Sequence, residues 1–421
     1  MKALVLGGGG REHALVRALS LDPAVTALHC APGNAGTATL CDNHVVDVLD
    51  PSAVTALAGR LGVDLVVVGP EAPLVNGVGD ALRAAGIACF GPDSAAARIE
   101  GSKAFAKEVM AAAGVPTAES AVCATDAEVE DALAVFGPPY VVKDDGLASG
   151  KGVLVTDDPE AAAEHAHACG RVVIEEFLDG PEVSVFALCD GTEVVALQPA
   201  QDFKRAYDND EGPNTGGMGA YTPLTWAPDD LVEAVTEMVL RPTVDELRRR
   251  ETPYVGVLYA GLALTSRGVR VIEFNARFGD PEIQVVLDRL ATPLGDLLQA
   301  TAIGALGDAP PLEWRDGAAV TVVLASEGYP ASPVTGDAIT GLAEAESVPG
   351  AYVLHAGTAA GPGGEPVTAG GRVLDVVGTG ATLGDARDAA YSAVGRIDIR
   401  GGHHRSDIAV VGRAAPRTGA E

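Results

Sequence analysis

Over residues 1–100, short apolar runs alternate with segments whose apolar positions recur at helical spacing. The runs Lys2–Leu6, Val25–Cys30, Asp64–Val68 and Ile87–Phe90 predict strands, and Glu12–Ser20, Ala53–Leu61 and Gly77–Ala85 predict helices. A β-α-β alternation of this kind implies a parallel sheet with helices on both faces. The loops Gly7–Gly10, Pro32–Thr37 and Gly69–Pro73 leave the strands at their carboxyl ends, where open parallel sheets bind ligands.

From Gly101 the pattern changes. Residues 101–113 predict a helix with Ser102 as N-cap. Beyond Pro138 come short strands at Tyr140–Lys143, Val153–Thr156, Arg171–Glu176 and Glu182–Cys189, with one helix at Pro159–Cys169, as in a small α+β unit. Residues 230–250 are helical in pattern. Tyr254–Leu264 and Val269–Phe274 form a hairpin across Thr265–Gly268. The tail predicts strands at Ala319–Ala325, Ala351–Ala356 and Arg372–Gly378, a helix at Leu383–Arg396 and loose residues from about 411.

The chain has 421 residues, enough for two to four domains at roughly 100–200 residues each. Only 4% of residues are aromatic, so Ala, Val and Leu must fill the cores. The six cysteines are scattered without a C-x-x-C pair, which speaks against a zinc or disulfide framework. A net charge of −29 excludes a general nucleic-acid or anionic-membrane surface. With no apolar run of spanning length and no leader-like N-terminus, a cytoplasmic protein is expected. Anionic small substrates remain open, since they need only a few local cations and backbone N–H groups.

Gly7–Gly10 leads from a strand into a helix, as in dinucleotide folds, but no acid ends the second strand to hold a ribose. What survives is an anion site at a helix N-terminus. Lys143–Gly152 looks like a P-loop one residue short, with Gly where the magnesium-binding hydroxyl belongs and a strand where the helix belongs. It reads instead as a glycine flap over phosphates with Lys143 at its base. Glu175 and Glu176 end an apolar strand, placed to accept from an adenine amino group, and Glu182 to accept from ribose hydroxyls. Along 271–280, Glu273, Asn275 and Arg277 alternate onto one strand face. A carboxylate and an amide oxygen suit Mg²⁺, and an arginine beside them suits a carboxylate or phosphoryl group. Asp202, ahead of the glycine-rich loop Gly212–Gly219, is a candidate for gripping an ammonium.

The stretches GGREHAL, APGNAGT, GPEAPL, GSKAF, GPNTGGMGAY, LYAGL and EFNARFGDPE occur in order between Met1 and about Ile408. Together they resemble the phosphoribosylamine–glycine ligases, ATP-grasp enzymes of purine biosynthesis. The resemblance implies an α/β and α+β multidomain chain. Residues 1–101 would form a Rossmann-like phosphoribosylamine-binding domain, 102–317 the ATP-grasp domain with a mobile lobe at about 115–188, and 318–421 a small mixed α/β C-terminal domain. It implies that ATP, glycine and 5-phosphoribosylamine give ADP, phosphate and glycinamide ribonucleotide through glycyl phosphate, with Mg²⁺ or Mn²⁺. A monomer without nucleic-acid or membrane partners is expected.

By the same resemblance, Lys103, Lys143 and Gly150 contact the nucleotide phosphates, and Glu175, Glu176, Phe177, Leu178 and Glu182 surround the adenosine. Glu273 and Asn275 hold the metal. Arg277, Lys143 and Asp202 act in catalysis, with Asp202, Gly279 and Asp280 around glycine. Gly9, Arg11, Asn34, Gly36, Thr37, Pro70 and Glu71 surround the phosphoribosylamine. Two departures stand out. Asp144 occupies a position where the family has Ala, and the segment between Cys169 and Arg171 is short. Another ATP-grasp carboxylate–amine ligase or carboxylase, a dinucleotide oxidoreductase and a non-catalytic nucleotide-binding regulator are the competing readings.

Overall fold

The computed structural model describes residues 1–147 and 152–410. Its N-terminal unit is a five-stranded parallel sheet in the order Asp42–Asn43, Ala27–Pro32, Lys2–Gly7, Leu65–Val68, Ala88–Phe90. The two central strands are near-continuous apolar runs because helices cover both faces. The strand order reverses between Lys2–Gly7 and Leu65–Val68, and the glycine-bearing loops gather at that edge.

Two antiparallel sheets follow. The first runs Ser120–Cys123, Val172–Glu175, Tyr140–Asp144, Val153–Thr156 and packs with helices Asp126–Phe136 and Pro159–Cys169 around its own core, which includes Val129, Val142, Ala162 and Ile174. The second runs Val194–Ala196, Glu182–Asp190, Val255–Thr265, Gly268–Asn275. The expected hairpin is present, Thr265 pairing with Gly268. A bulge interrupts it: Gly261 opposes Glu273 while Leu262 opposes Val271, leaving Ile272 unpaired in the ladder.

A third large sheet joins Gln201–Asp202 and Gly219–Thr222 to Ala318–Ala325, Arg372–Gly380 and Ala351–His355. Helix Leu383–Val394 packs on it. Strands from the middle of the chain and from its C-terminal part thus share one sheet.

Several elements differ from the sequence expectation. The helix expected over 101–113 is present as Lys103–Ala113, with Ser102 as its N-cap accepting from the Phe105 N–H, but a further helix, Ser94–Gly101, precedes it without a sequence counterpart. Glu211–Asn214, which overlaps the start of the glycine-rich stretch Gly212–Gly219 read as loop, pairs with Arg205–Tyr207. Helices Glu282–Arg289 and Leu294–Ile303 had no sequence counterpart; the first is buried on nearly every side and lacks a polar stripe, whereas the second buries one face through Leu294, Leu297, Leu298 and Thr301. Among the described residues no helix is long and apolar enough to cross a membrane.

Candidate active site

A cleft of about 2050 Å³ opens between the two antiparallel sheets and runs to the N-terminal unit. Two strands line it at every second position, through Val141 and Lys143 and through Val173 and Glu175, while the edge strand lines it with each residue from Val153 to Thr156. Lys143 pairs with Glu175, whose other oxygen lies 2.6 Å from Lys107 Nζ. Lys143 also donates to Ile272 O at 3.1 Å, the carbonyl that the bulge takes out of the ladder. Lys103 donates to Gly146 O at 3.0 Å, at the root of the glycine flap. Glu176, Phe177, Leu178 and Glu182 line the same cleft; Glu176 pairs with Arg267 and Glu182 with Lys204. Gly150, like Lys151, lies outside the described residues.

Asp144 faces the other side of its strand. It is absent from the cleft wall, and its charge acts instead on Cys169, whose thiol is raised first by burial and then by Asp144. Its neighbour Asp145 is the anchor: it accepts from Ser102 Oγ and from the Ala104 N–H, each at 2.9 Å, and faces Arg171 at 3.3 Å.

Glu273, Asn275 and Arg277 project into the cleft together. Burial works to raise the Glu273 carboxyl, but Lys204, Lys143, Lys103 and Arg277 hold it below the usual range. Among the described residues none donates a hydrogen bond to it, so a hard oxygen ligand stands open to the cleft. Asn275 Oδ1 accepts from Arg277 Nη2 at 3.2 Å and keeps a second lone pair. This pair suits a divalent cation that completes its shell with nucleotide phosphates and water. Among the described residues no cluster of three or more His, Cys, Asp or Glu could hold one alone.

The Arg277 guanidinium is held by Phe278 O at 3.1 Å, Glu100 at 3.3 Å and Glu71 at 3.5 Å. Burial lowers its pKa, but Glu100 and Glu71 more than compensate and leave it raised. Glu100 itself is driven up to about 7, by burial first.

Asp280 meets Arg372 at 3.2 Å and accepts from Gln284 Nε2 at 2.9 Å. Arg372 also donates to Gly216 O and Asp280 O, both at 2.6 Å, and so ties the glycine-rich loop to the 275–280 strand end. Arg11 donates to Phe278 O at 3.2 Å and lines the cleft with Pro70 and Glu71. Asp202 is pushed up to about 7 by burial, with Lys204 opposing and Glu282 and Glu182 adding to the rise. Glu282 is fixed by Tyr259 Oη at 2.7 Å and Ser184 Oγ at 3.1 Å.

The remaining expected residues are placed beside the cleft and not in its wall. Asn34 Oδ1 accepts from the N–H groups of Gly36 and Thr37 at 2.9 Å, and its amide donates to Gly8 O at 3.0 Å and His355 O at 2.7 Å. This side chain shapes its own loop. A Cβ on Gly36 would run into the His13 ring, and one on Gly279 into the Glu282 carboxylate, so both glycines are required by close packing. Gly9 donates its N–H to Glu12 at 2.6 Å, and a Cβ there would lie 3.5 Å from Asp280.

Lys107, Glu100, Lys204, Glu282 and Arg372 were not singled out from sequence. Lys204 was detectable, since it shares a face of the extended chain with Asp202. The others depend on long-range packing.

The domain profiles described as "Phosphoribosylglycinamide synthetase" match the chain in three parts: the N domain over 1–100, the ATP-grasp (A) domain over 101–283 and the C domain over 319–411. The chain is 70% identical over 411 residues to the phosphoribosylamine–glycine ligase of Streptomyces coelicolor, covering 97% of this chain and 99% of that one. It is 56% identical to the Mycobacterium tuberculosis protein of the same name, covering 97% of each. A crystal structure of phosphoribosylamine–glycine ligase from Thermotoga maritima superposes with a TM-score of 0.82 at 34% identity, covering 97% of this chain and 100% of that one.

Proposed function

The chain belongs to the phosphoribosylglycinamide synthetase family, and from that membership and the contents of its cleft we infer that it joins glycine to 5-phosphoribosylamine, converting ATP to ADP and phosphate in purine biosynthesis. The competing readings, another ATP-grasp ligase or carboxylase among them, do not fit relatives this similar over nearly the whole chain. The single observation that supports the assignment of roles is that one cleft gathers Lys143, Asp202, Glu273, Asn275 and Arg277.

The division of labour follows from charge. ATP lies between the two antiparallel sheets, its base against Val141, Val155, Val173, Phe177 and Leu178 and its phosphates toward Lys143, Lys103 and the flap. Glu273 and Asn275 would hold Mg²⁺ or Mn²⁺, which when bound would neutralise phosphate charge. Arg277 receives the glycine carboxylate and Asp202 its ammonium. An oxygen of that carboxylate attacks the γ-phosphorus, the bond to ADP breaks, and glycyl phosphate forms. The amine of phosphoribosylamine, seated by the loops bearing Gly9, Arg11, Asn34, Pro70 and Glu71, then attacks the carbonyl carbon. It loses a proton, and phosphate leaves. Such transfer needs positioning and electrostatics more than covalent help from the protein.

The test uses glycine labelled with ¹⁸O in its carboxylate. Phosphate released in the presence of ATP and phosphoribosylamine should carry one label. Unlabelled phosphate excludes the acyl phosphate, and phosphate release that ignores glycine or phosphoribosylamine excludes the reaction.

A further inference from the structure

Glu100 closes the helix Ser94–Gly101 and reaches a strand end 176 residues away. One carboxylate oxygen accepts from the Ala276 N–H at 2.6 Å, and the other lies 3.3 Å from Arg277 Nη2. The two contacts grip consecutive residues, the peptide N–H of one and the guanidinium of the next. Its side chain is only 8% exposed, so the pair is shielded from solvent. The other partners of Arg277 divide into two kinds. Asn275 Oδ1 and Phe278 O belong to the same strand end and move with it. Glu71, at 3.5 Å from Nε, belongs with Glu100 to the N-terminal unit but is the looser of the two and touches no backbone group of the strand. Among the described residues, Glu100 alone fixes both the main chain and the side chain.

We propose that Glu100 is a positioning residue for phosphoryl transfer, holding Arg277 and the peptide before it in the orientation that receives the glycine carboxylate. A guanidinium is a planar fork, and anchoring one edge sets the direction of the N–H groups left for a ligand. A carboxylate shared between backbone and fork fixes that plane in a way Asn275, moving with Arg277, does not. The inference rests on the reading of Arg277 given above.

Steady-state kinetics on Glu100→Gln, Glu100→Asp, Arg277→Ala and the Glu100→Gln/Arg277→Ala double variant test it. At pH near 8, above the value of about 7 to which burial raises Glu100, Gln preserves an oxygen for the Ala276 N–H but removes the charge facing Arg277. It should raise the glycine KM about tenfold, as loss of a charged hydrogen bond does, and leave the KM values for ATP and phosphoribosylamine within about twofold. Asp, keeping the charge on a shorter arm, should recover part of the loss. The double variant should be no worse than Arg277→Ala, because the two act as one unit. Equal rises in all three KM values with a lowered melting temperature would reduce Glu100 to scaffolding and overturn the proposal. So would an unchanged glycine KM in Glu100→Gln beside a raised one in Arg277→Ala, which leaves the Arg277 role standing. An unchanged glycine KM in Arg277→Ala removes that role and this proposal with it.

Discussion

Lys143 and Glu175 stand on neighbouring antiparallel strands, two positions apart in register, and close an ion pair that is almost wholly shielded from water. Lys107, from helix Lys103–Ala113, engages the second carboxylate oxygen, so one anion is shared by two cations. The arrangement leaves a surplus of positive charge at the base of the nucleotide cleft.

Removing the anion leaves both lysines buried and facing each other. Glu175→Gln should therefore destabilise the small lobe by about 3–5 kcal/mol, the usual cost of breaking a buried pair from one side. Thermal denaturation of wild type and variant measures it. A loss below about 1 kcal/mol would mean that solvent reaches the pair and that the lobe is more open than described.

Arg372 is the C-terminal region's contribution to the cleft. Its guanidinium spans Gly216 O, Asp280 O and the Asp280 carboxylate. Arg372→Ala should free the glycine-rich loop and lower kcat/KM for glycine on the order of ten- to a hundredfold, with ATP binding little changed. Isothermal titration with an ATP analogue, set beside initial rates at varied glycine, separates the two effects. Equal losses for both ligands would show that the C-terminal region merely supports the fold.

Much of this was legible in the sequence, for reasons that differ from place to place. The parallel sheet was readable because Ala3–Leu6 and Leu65–Val68 are buried on both faces and therefore apolar throughout. Glu273, Asn275 and Arg277 were readable because strand alternation aligns polar groups on one face without reference to anything distant. The strand Ser120–Cys123 and helix Asp126–Phe136 were missed: the strand offers four small or β-branched residues and the helix an acidic surface with few large apolar residues. Glu100 and Lys107 were missed because their partners lie across the fold, and local patterns do not report pairing over such separations. The departure at Asp144 falls off the cleft wall, since strand alternation turns it away from Lys143's face.

Glu273 is the open oxygen ligand amid Lys204, Lys143 and Lys103. Glu273→Gln preserves its shape and removes its charge. Turnover should fall on the order of a hundred- to a thousandfold, as when a preorganised charge at a phosphoryl-transfer site is lost. Mn²⁺ titrated with ATP and followed by electron paramagnetic resonance should show weaker binding in the variant. Unchanged metal affinity would move the metal to other ligands.

Asp202 carries a pH dependence whose two halves oppose each other. Burial raises its carboxyl to about 7, against Lys204 and with the help of Glu282 and Glu182. In the unfolded chain it titrates near about 4. The folded state therefore holds the proton through the window between them. This contribution to stability is fully present below the unfolded value and is lost as the pH rises through about 7. The ammonium of glycine, however, requires the ionised form. Below about 7, kcat/KM for glycine should fall roughly tenfold per pH unit as Asp202 takes up its proton, with the ATP dependence unaffected. Asp202→Asn imitates the protonated state. At pH near 8 it should melt at or above the wild-type temperature while binding glycine poorly, and its acid limb should flatten to the part that Glu100, itself raised to about 7, contributes through Arg277. A variant that melts lower at that pH, or whose acid limb is as steep as the wild type's, would place the titrating group elsewhere in the cleft.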